Sequence, residues 1–317
     1  MQGVWLSVAT RAARSGLHQT NQAIEPNKLT FQLYSCTRDL GVALAVLPLL
    51  FMPGASAVVP SIDATRTRHL PLPPGLLRGP ESVAFDAKGN GPYSGISDGR
   101  VLKWNGDRLG WTTSEACTAS SGYLYIADAY KGLRRVAPGG GEATVLVTEA
   151  DGAPLRFTNG VDVDQVTGEV YFTDSSMKYQ RYDPRTGKVI VLKAGITYPN
   201  GLAISADRTH LVISSTGPCK LLRYWTKGGP KTGTMELLTD LPGYPDNLRP
   251  DKKGGYWVAL HHRYLLALRI GADGKIIEEM RGPKAKGMRP AEVVEWTRGR
   301  LFVGSVELSY VAMATRK

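Results

Sequence analysis

The stretch YPNGLA at residues 198–203, followed by LVIS at residues 211–214, shows the unit that is repeated along this chain of 317 residues. A polar residue, Asn200, stands at the start of the unit, and a short apolar strand of the β type begins about ten residues later. Four other segments have the same form, with their polar positions at Glu81, Asn159, Asp246 with Asn247, and Glu292. From Asn159 onward, the steps between these positions are 41, 46 and 46 residues.

Repeats of about 40 to 50 residues that are rich in short strands are typical of a β-propeller. A sixth unit fits between the first two, where GYLYIAD at residues 122–128 has the same turn-then-strand form. Sandwiches and barrels also consist of short strands, but they do not repeat one motif at this spacing. No amphipathic helix pattern is found between residues 79 and 314. The sequence therefore predicts an all-β fold, a six-bladed propeller whose polar positions, one per blade and in phase, meet at a central site.

The spacing also predicts that some blades are shortened. Only 78 residues separate Glu81 from Asn159, although two units begin in this interval, and the third unit runs directly from Ser175 to Tyr182. The domain boundaries that we predict are a leader over 1–39, an apolar segment over 40–62, a linker over 63–78 and the propeller over 79–314.

Residues 40–62 carry no charged side chain, which is typical of a signal peptide or a membrane anchor. Ala55-Ser56-Ala57 supplies a small-residue cleavage site, whereas Pro48 and Pro53 disfavour a straight spanning helix. We predict entry into the secretory pathway, to the endoplasmic reticulum or vacuole, and both cleavage and membrane anchoring through this segment stay open. The basic leader leaves an organelle transit peptide as the alternative.

The net charge of +11 does not indicate a nucleic-acid partner. Lys and Arg are scattered over the turns, and no stripe of alternating basic and aromatic residues appears. The one dense basic patch, residues 281–289, is interpreted as a solvated loop. The three cysteines permit one disulfide, and Cys117 and Cys219 are far apart in sequence. No glycine-rich phosphate loop or Cys/His metal spacing indicates a nucleotide or redox cofactor.

Several long segments resemble the plant strictosidine synthase-like proteins. They are GPESVAFD at 79–86, FTNGVDVD at 157–164, YFTDSS at 171–176, YPNGLA at 198–203 and PDN at 245–247. The resemblance extends from residue 68 to about residue 314 and implies a six-bladed propeller. The wider superfamily includes the paraoxonases, the gluconolactonase and senescence-marker lactonases, and an arylesterase-like protein.

The resemblance implies a Ca²⁺ site in the central tunnel. The positions that match the ligands of the calcium-dependent hydrolases are Glu81, Asn159, Asn200, Asp246 and Asn247. Such a set is chemically sensible, because Ca²⁺ prefers hard oxygen ligands and two carboxylates neutralise a dication. The cation would polarise an ester carbonyl. We therefore predict a calcium-dependent ester or lactone hydrolase that acts on a small-molecule substrate.

Two alternatives remain. Glu292 matches the catalytic glutamate of strictosidine synthase, which condenses an amine with an aldehyde without a metal, so Glu292 is a candidate catalytic residue. The third hypothesis is a secretory propeller that binds a ligand without catalysis. The chain departs from the family pattern after Trp111, Gln180 and Arg263, so blades two, three and five are expected to be shortened.

The candidate residues also have structural interpretations. Asn-Gly, which occurs at residues 159–160 and 200–201, is a common turn pair, and Glu81 could be a solvated loop acid. His261 and His262 follow a predicted strand in the fifth unit, and we expect one of them to face the tunnel mouth. His261 is the better match to a histidine of the plant family that the chain resembles. Histidine titrates near neutrality and is a candidate general base, although a packed or solvated histidine is the alternative.

Overall fold

The computed structural model of this chain describes residues 58–75, 79–86, 89–96, 98–113, 123–137, 141–176, 178–282 and 288–316, together with the backbone of residues 4–8 and 298. The rest of the predicted leader and most of the apolar segment lie outside these ranges. No helix in the described part is long and apolar enough to span a membrane. The helices described are two short 3₁₀ turns, Gly229–Lys231 and Thr297–Gly299.

Three of the described strands precede the first blade, β1 (Val4–Val8), β2 (Ser61–Asp63) and β3 (Arg68–Pro71). Blade one has β4 (Val83–Ala84), β5 (Tyr93–Gly95), β6 (Val101–Trp104) and β7 (Trp111–Thr113). Blade two has β8 (Leu124–Asp128), β9 (Gly132–Val136) and β10 (Thr144–Val147), and the hairpin of β11 (Glu149–Ala150) and β12 (Ala153–Pro154) follows it.

The remaining blades are more regular. Blade three has β13 (Thr158–Val163), β14 (Val170–Asp174), β15 (Lys178–Asp183) and β16 (Lys188–Ala194). Blade four has β17 (Pro199–Ile204), β18 (His210–Ser215), β19 (Lys220–Trp225) and β20 (Met235–Asp240). Blade five has β21 (Tyr244–Pro250), β22 (Tyr256–His261), β23 (Leu265–Ile270) and β24 (Ile276–Arg281). Blade six has β25 (Glu292–Glu295), β26 (Arg300–Gly304) and β27 (Tyr310–Thr315).

The consecutive strands of each blade pair antiparallel in sequence order. The first strands of blades three to six and of blade one contact one another in turn, so they surround a central axis. This arrangement confirms the predicted six-bladed propeller. The inner strands β13 and β17 are buried almost throughout, whereas the outer strand β16 alternates between half-buried and exposed side chains. Inner strands lie between two neighbouring blades, and an outer strand has solvent on one side.

Among the described residues, which exclude 114–122, only blade two fits the expectation of shortened blades. Blades three and five each have four antiparallel strands. Blade two has three consecutive strands, and its fourth position is taken by β1, which pairs in parallel with β8 in the register Val4 to Leu124 through Val8 to Asp128. Strand β15 was not expected because its sequence, KYQRYD, is polar, yet Gln180 within it is fully buried.

Residues 63–78, predicted as a linker, are partly built into the propeller. Strand β3 pairs antiparallel with β27 and supplies the outermost strand of blade six. Strand β2 pairs in parallel with β24 and adds a fifth strand to blade five. A strand from before the first blade thereby joins the last blade and closes the ring.

Apolar side chains from adjacent blades pack together. One cluster joins blades two and three through Ala127, Leu133, Val161 and Phe172, which are at most 2% exposed. Another joins blades four and five through residues such as Val258, which has no exposed surface. A valine, leucine or phenylalanine side chain contributes about 1.5–3 kcal/mol when it is fully buried, so the blade contacts hold the inner strands in fixed positions.

Candidate functional site

Four of the five predicted metal ligands lie at equivalent points of the inner strands. In blade three, Thr158 pairs with Asp174 and Val161 with Phe172, so one extra residue is inserted in β13. The same one-residue insertion occurs between residues 199 and 202 of β17 and between residues 245 and 248 of β21. Each is a β-bulge, a feature that redirects side chains and is frequent beside functional sites. The bulges contain Asn159, Asn200 and the pair Asp246-Asn247.

The Asn-Gly pairs are therefore not turns, because both lie within strands. A Cβ atom on Gly160 would stand 2.6 Å from the carbonyl oxygen of Asn200, and one on Gly201 would stand 2.5 Å from the Cα atom of Asn247. Real Cβ atoms do not make such contacts, so only glycine permits these inner strands to approach each other. The glycines bring one bulge against the next around the axis.

The five predicted ligands, which we call the donor residues, are all buried, with exposures of 3–8%. Glu81 precedes β4, and the adjacent backbone is held by blade six, where the N–H of Ser305 donates to the carbonyl oxygen of Pro80 at 2.9 Å. The two carboxylates among the donor residues, Glu81 and Asp246, both influence the phenol of Tyr198. Burial raises the pKa of Tyr198, and the negative charges of Asp246 and Glu81 raise it further. Both carboxylates thus lie near Tyr198 at one end of the inner strands.

A hydroxyl directly after the second strand of blade three orients the amide of Asn159. The Nδ2 of Asn159 donates to Ser175 Oγ at 3.1 Å. The same hydroxyl donates to the carbonyl oxygen of Pro199 at 2.8 Å, which belongs to the residue before the next donor. Since the amide nitrogen is engaged with Ser175, the amide carbonyl oxygen is directed away from it.

Blade four repeats this contact with different residues. The Nδ2 of Asn200 donates to Thr216 Oγ1 at 3.3 Å, and Thr216 donates to the carbonyl oxygen of Pro245 at 2.7 Å. We call these two chains, Asn159–Ser175–Pro199 and Asn200–Thr216–Pro245, the hydroxyl relay. The relay links each donor residue to the backbone of the next one.

His261 occupies the same place in blade five. Asp174, Ser215 and Leu260 each pair with the residue before a donor, so Ser175, Thr216 and His261 are equivalent positions. The Nε2 of His261 lies 3.1 Å from Asp246 Oδ2. This contact raises the pKa of His261, and burial opposes the rise. The structure thus brings together two residues that the sequence predicted separately, one as a ligand and one as a base.

The donor residues have the chemistry that a Ca²⁺ ion requires. Two carboxylates and three amides offer only oxygen ligands and a charge that neutralises a dication. The Oδ1 of Asn200 is buried and has no hydrogen-bond partner among the described residues. At Asn247 the unpartnered atom is the amide nitrogen, and a 180° rotation of that amide would exchange it for the carbonyl oxygen. An unpaired buried carbonyl costs free energy, and a cation would satisfy it.

The described residues contain no group of three or more His, Cys, Asp or Glu side chains that could hold a metal ion. The donor residues do not form such a group, because three of the five are amides. A search for charged residues alone therefore could not identify the donor residues. Their recurrence at the same position of each repeat is the signal that identifies them.

Glu292 lies at the same end of the inner strands but is enclosed by protein groups. Its side chain is fully buried and forms an ion pair with Arg249, and the N–H of Val83 donates to its second oxygen. Burial raises the pKa of Glu292, Arg249 and the Val83 N–H lower it, and Asp246 raises it. Both carboxylate oxygens are thus engaged, and the catalytic role predicted for Glu292 stays a prediction.

The sequence did not indicate the roles of Ser175, Thr216 or Arg249. Hydroxyl residues two positions apart at the end of a second strand, Thr173 with Ser175 and Ser214 with Thr216, were the available signal. Thr173 and Ser214 donate to the carbonyl oxygens of the donor residues Asn200 and Asp246, respectively.

Comparison with known proteins agrees with this architecture. Residues 112–306 match the family model described as the SMP-30/Gluconolactonase/LRE-like region. Among solved structures, a gluconolactonase from Xanthomonas campestris is similar with a TM-score of 0.60 and 19% identity, over 78% of this chain and 88% of that one. Regucalcin from Agrobacterium tumefaciens, described as a calcium-binding protein, gives 0.59 and 19% over 81% and 95%. At this identity the two structures support the fold.

Sequence similarity is greater to plant proteins. Strictosidine synthase-like protein 10 of Arabidopsis thaliana is 34% identical over 317 aligned residues, which cover 74% of this chain and 84% of that protein. Strictosidine synthase-like protein 3 of the same plant is 34% identical over 324 residues, covering 75% and 82%. The resemblance noted in the sequence is confirmed, and this chain belongs to the strictosidine synthase-like family of six-bladed propellers.

Proposed function

We propose that this protein is a calcium-dependent hydrolase of esters or lactones, with Ca²⁺ held by the donor residues. The observation that carries the proposal is the unpartnered, buried Oδ1 of Asn200 beside other oxygen donors from successive blades. The match to a family model that includes gluconolactonases supports the reaction class. Bound Ca²⁺ would polarise the carbonyl of the substrate and stabilise negative charge on its oxygen.

The proton transfers in this proposal belong to His261. Its Nε2 faces Asp246, so in the neutral ring Nε2 carries the proton and Nδ1 is the acceptor. Nδ1 takes a proton from the attacking water as the water oxygen bonds to the carbonyl carbon. The same proton then passes to the leaving alkoxide as the carbon–oxygen bond breaks. Asp246 fixes the orientation of the ring and stabilises its protonated form.

Two variants separate binding of the cation from catalysis. Asn200→Ala removes a ligand, so we expect weaker Ca²⁺ binding in calorimetry and a loss of hydrolysis with aryl ester and lactone panels. His261→Ser gives blade five a hydroxyl at the position where blades three and four already have one. We expect this variant to bind Ca²⁺ as the unmodified protein does and to lose about 10²–10⁴-fold in kcat, the usual contribution of a general base. Full activity of Asn200→Ala in the presence of a chelator would disprove the proposal.

Condensation of an amine with an aldehyde is the second candidate, and the family membership favours it. This reaction would not need Ca²⁺ and would need Glu292 as a base. The enclosure of Glu292 by Arg249 and Val83 requires that the ion pair opens before Glu292 can accept a proton. Metal-independent turnover that is lost in Glu292→Gln would support condensation. Ca²⁺ binding without turnover of either substrate class would support a binding propeller.

We also propose that the protein enters the secretory pathway. Cys219 is disulfide-bonded and buried, and disulfides persist mainly in oxidising compartments. The apolar segment and its Ala55-Ser56-Ala57 sequence provide an entry signal. Expression as a fusion with a fluorescent protein in plant cells tests the proposal, and a cytosolic signal would contradict it.

A further inference from the structure

A cavity of about 240 Å³ lies at the end of the inner strands opposite the donor residues. It is formed where three inner strands end, β4 of blade one, β21 of blade five and β25 of blade six. The lining segments are residues 83–85, 249–252 and 294–296. Drug-sized ligands usually occupy at least about 300 Å³, so this cavity suits a small molecule.

The wall of the cavity contains a fixed aromatic surface. Phe85 and Trp296 stack with their ring centroids 4.0 Å apart and an angle of 7° between their planes. Gly89 packs against the edge of Trp296, since a Cβ atom there would be 3.3 Å from the ring. Because the Phe85 ring is stacked on Trp296, it covers one face of the indole. The Lys252 ammonium lies over the Trp296 ring, 5.7 Å from its centroid.

The charges around the cavity leave one cation without a carboxylate partner. Arg249 pairs with Glu292, Glu295 pairs with Arg316, and Asp251 pairs with Arg269. Lys252 is exposed and forms no ion pair with any described residue. A ligand in this cavity thus meets an aromatic face and a positive charge, while the lining acids are already neutralised.

We propose that this cavity, which we call the Trp296 cavity, is a binding site for a small planar aromatic anion, such as an aromatic carboxylate. The ring of the ligand stacks on the face of Trp296 that Phe85 does not cover, where the flexible Lys252 side chain gives way to it, and its acidic group pairs with Lys252. A neutral aromatic molecule would gain only the stacking, and an aromatic cation would be repelled by Lys252. The site is separate from the donor residues and does not depend on the proposed hydrolase activity.

The test compares naphthalene-1-sulfonate with its neutral analogue naphthalene-1-sulfonamide, using the full chain and tryptophan fluorescence in the presence of a calcium chelator. We expect the sulfonate to bind at least fivefold more tightly than the sulfonamide. Lys252→Glu should remove this preference, whereas Lys253→Glu, an adjacent exposed lysine outside the cavity lining, should keep it. Trp296→Leu should weaken both ligands by about two- to tenfold, the range for one aromatic stack.

Thermal unfolding of each variant shows whether it is folded, and Lys252→Glu, at an exposed position, keeps the test valid if Trp296→Leu does not fold. Equal affinity for the two probes in the unmodified protein would overturn the proposal. So would an unchanged preference in Lys252→Glu. Displacement of the sulfonate by Ca²⁺ when the chelator is omitted, or loss of its binding in Asn200→Ala, would place the probe at the donor residues and also overturn the proposal.

Discussion

Glu292 and Arg249 form the most enclosed ion pair at the donor end of the inner strands. The Glu292 side chain has no exposed surface and that of Arg249 is 10% exposed. Removal of one charge from such a pair leaves the other buried without that counter-charge, which is strongly destabilising. An effect of Glu292 substitutions on activity therefore has to be separated from an effect on folding.

We predict that Glu292→Gln lowers the free energy of unfolding by about 3 kcal/mol in urea denaturation. Glu307→Gln is the matched control, because Glu307 pairs with Arg289 at the surface, where such pairs contribute at most about 1 kcal/mol. Arg249→Met combined with Glu292→Gln should be less destabilised than the sum of the two single variants. An unfolding free energy for Glu292→Gln equal to that of the unmodified protein would show that the pair does not stabilise the fold.

Asp162, on the inner strand β13, gives the protein a pH-dependent stability. Burial raises the pKa of Asp162 to about 6. The N–H groups of Ile204 and Val163 and the charge of Arg249 oppose this rise. Because the pKa in the folded state lies above the ordinary value of 3.8, this group favours the folded protein most below pH 3.8. That contribution is lost as the pH rises to about 6 and above, and it amounts to about 3 kcal/mol.

We predict that the unfolding free energy changes less between pH 4.5 and pH 7 in Asp162→Asn than in the unmodified protein. The measurement is urea denaturation of both proteins at the two pH values. The difference between their pH effects gives the contribution of Asp162 to the pH dependence of the unfolding free energy. A ¹³C NMR titration of the carboxyl group provides a direct check. A pKa of Asp162 below 4 would contradict the prediction.

At the level of single strands, the hydroxyl relay is the feature most directly tied to the proposed metal. The donor residues were predictable from sequence because they recur at the same phase of each unit. The residues that orient them were not, because the same position holds Ser175, Thr216 and His261 in successive blades. Three side chains with different chemistry do not produce a visible repeat, although each contacts a donor residue.

Strand β15 is an element of the fold that could not be predicted from the sequence. Its six residues include four polar or charged side chains, so neither apolar alternation nor a continuous apolar run indicates a strand. The ladder with β14 forms nevertheless, and Gln180 is buried between neighbouring strands. Tertiary packing thus supplied a strand that local sequence did not predict.

We predict that Ser175→Ala and Thr216→Val each weaken Ca²⁺ binding by about tenfold, because loss of an outer contact frees the amide to rotate. Calorimetric titration with Ca²⁺ measures the effect. Ser175→Thr and Thr216→Ser retain the hydroxyl and should retain the affinity.

Ser215→Ala is the control for these variants. It removes the hydroxyl of the residue directly before Thr216, but that hydroxyl donates to the carbonyl oxygen of Thr197 at 2.6 Å and is not the acceptor for the amide of a donor residue. Its Ca²⁺ affinity should equal that of the unmodified protein. If Ser175→Ala and Thr216→Val also bind Ca²⁺ normally, the relay does not position the amides, and the proposed cation site would be unaffected by that result.

At the scale of the whole molecule, segments from before the first blade close the ring, and this was not predictable from the repeat. Strand β3 has the sequence RHLP, in which only Leu70 is buried. Such a short edge strand looks like a linker when it is read alone. Its strand character comes from β27, which offers an unpaired edge that β3 covers.

Strand β1 fills a second gap, in blade two, and this placement conflicts with processing of the chain. It pairs with β8 and also contacts β4 and β13, the inner strands on either side. Cleavage after Ala57 would remove β1, while β2 and β3 would remain. The mature form produced by secretion would therefore have an unpaired inner edge at β8.

We predict that a chain that starts at Val58 exchanges the amide hydrogens of Leu124–Asp128 faster than the full chain, as measured by hydrogen–deuterium exchange with mass spectrometry. The loss should be confined to blade two, because a strand protects mainly the neighbour with which it pairs. Blade four, which has four strands of its own, is the internal control, and Lys220–Trp225 within it should exchange at the same rate in both chains. Equal protection of β8 in the two chains would mean that β1 contributes nothing to the propeller. In that case, cleavage after Ala57 would leave the structure of the blades unchanged, and the secretory form would need no replacement for the missing strand.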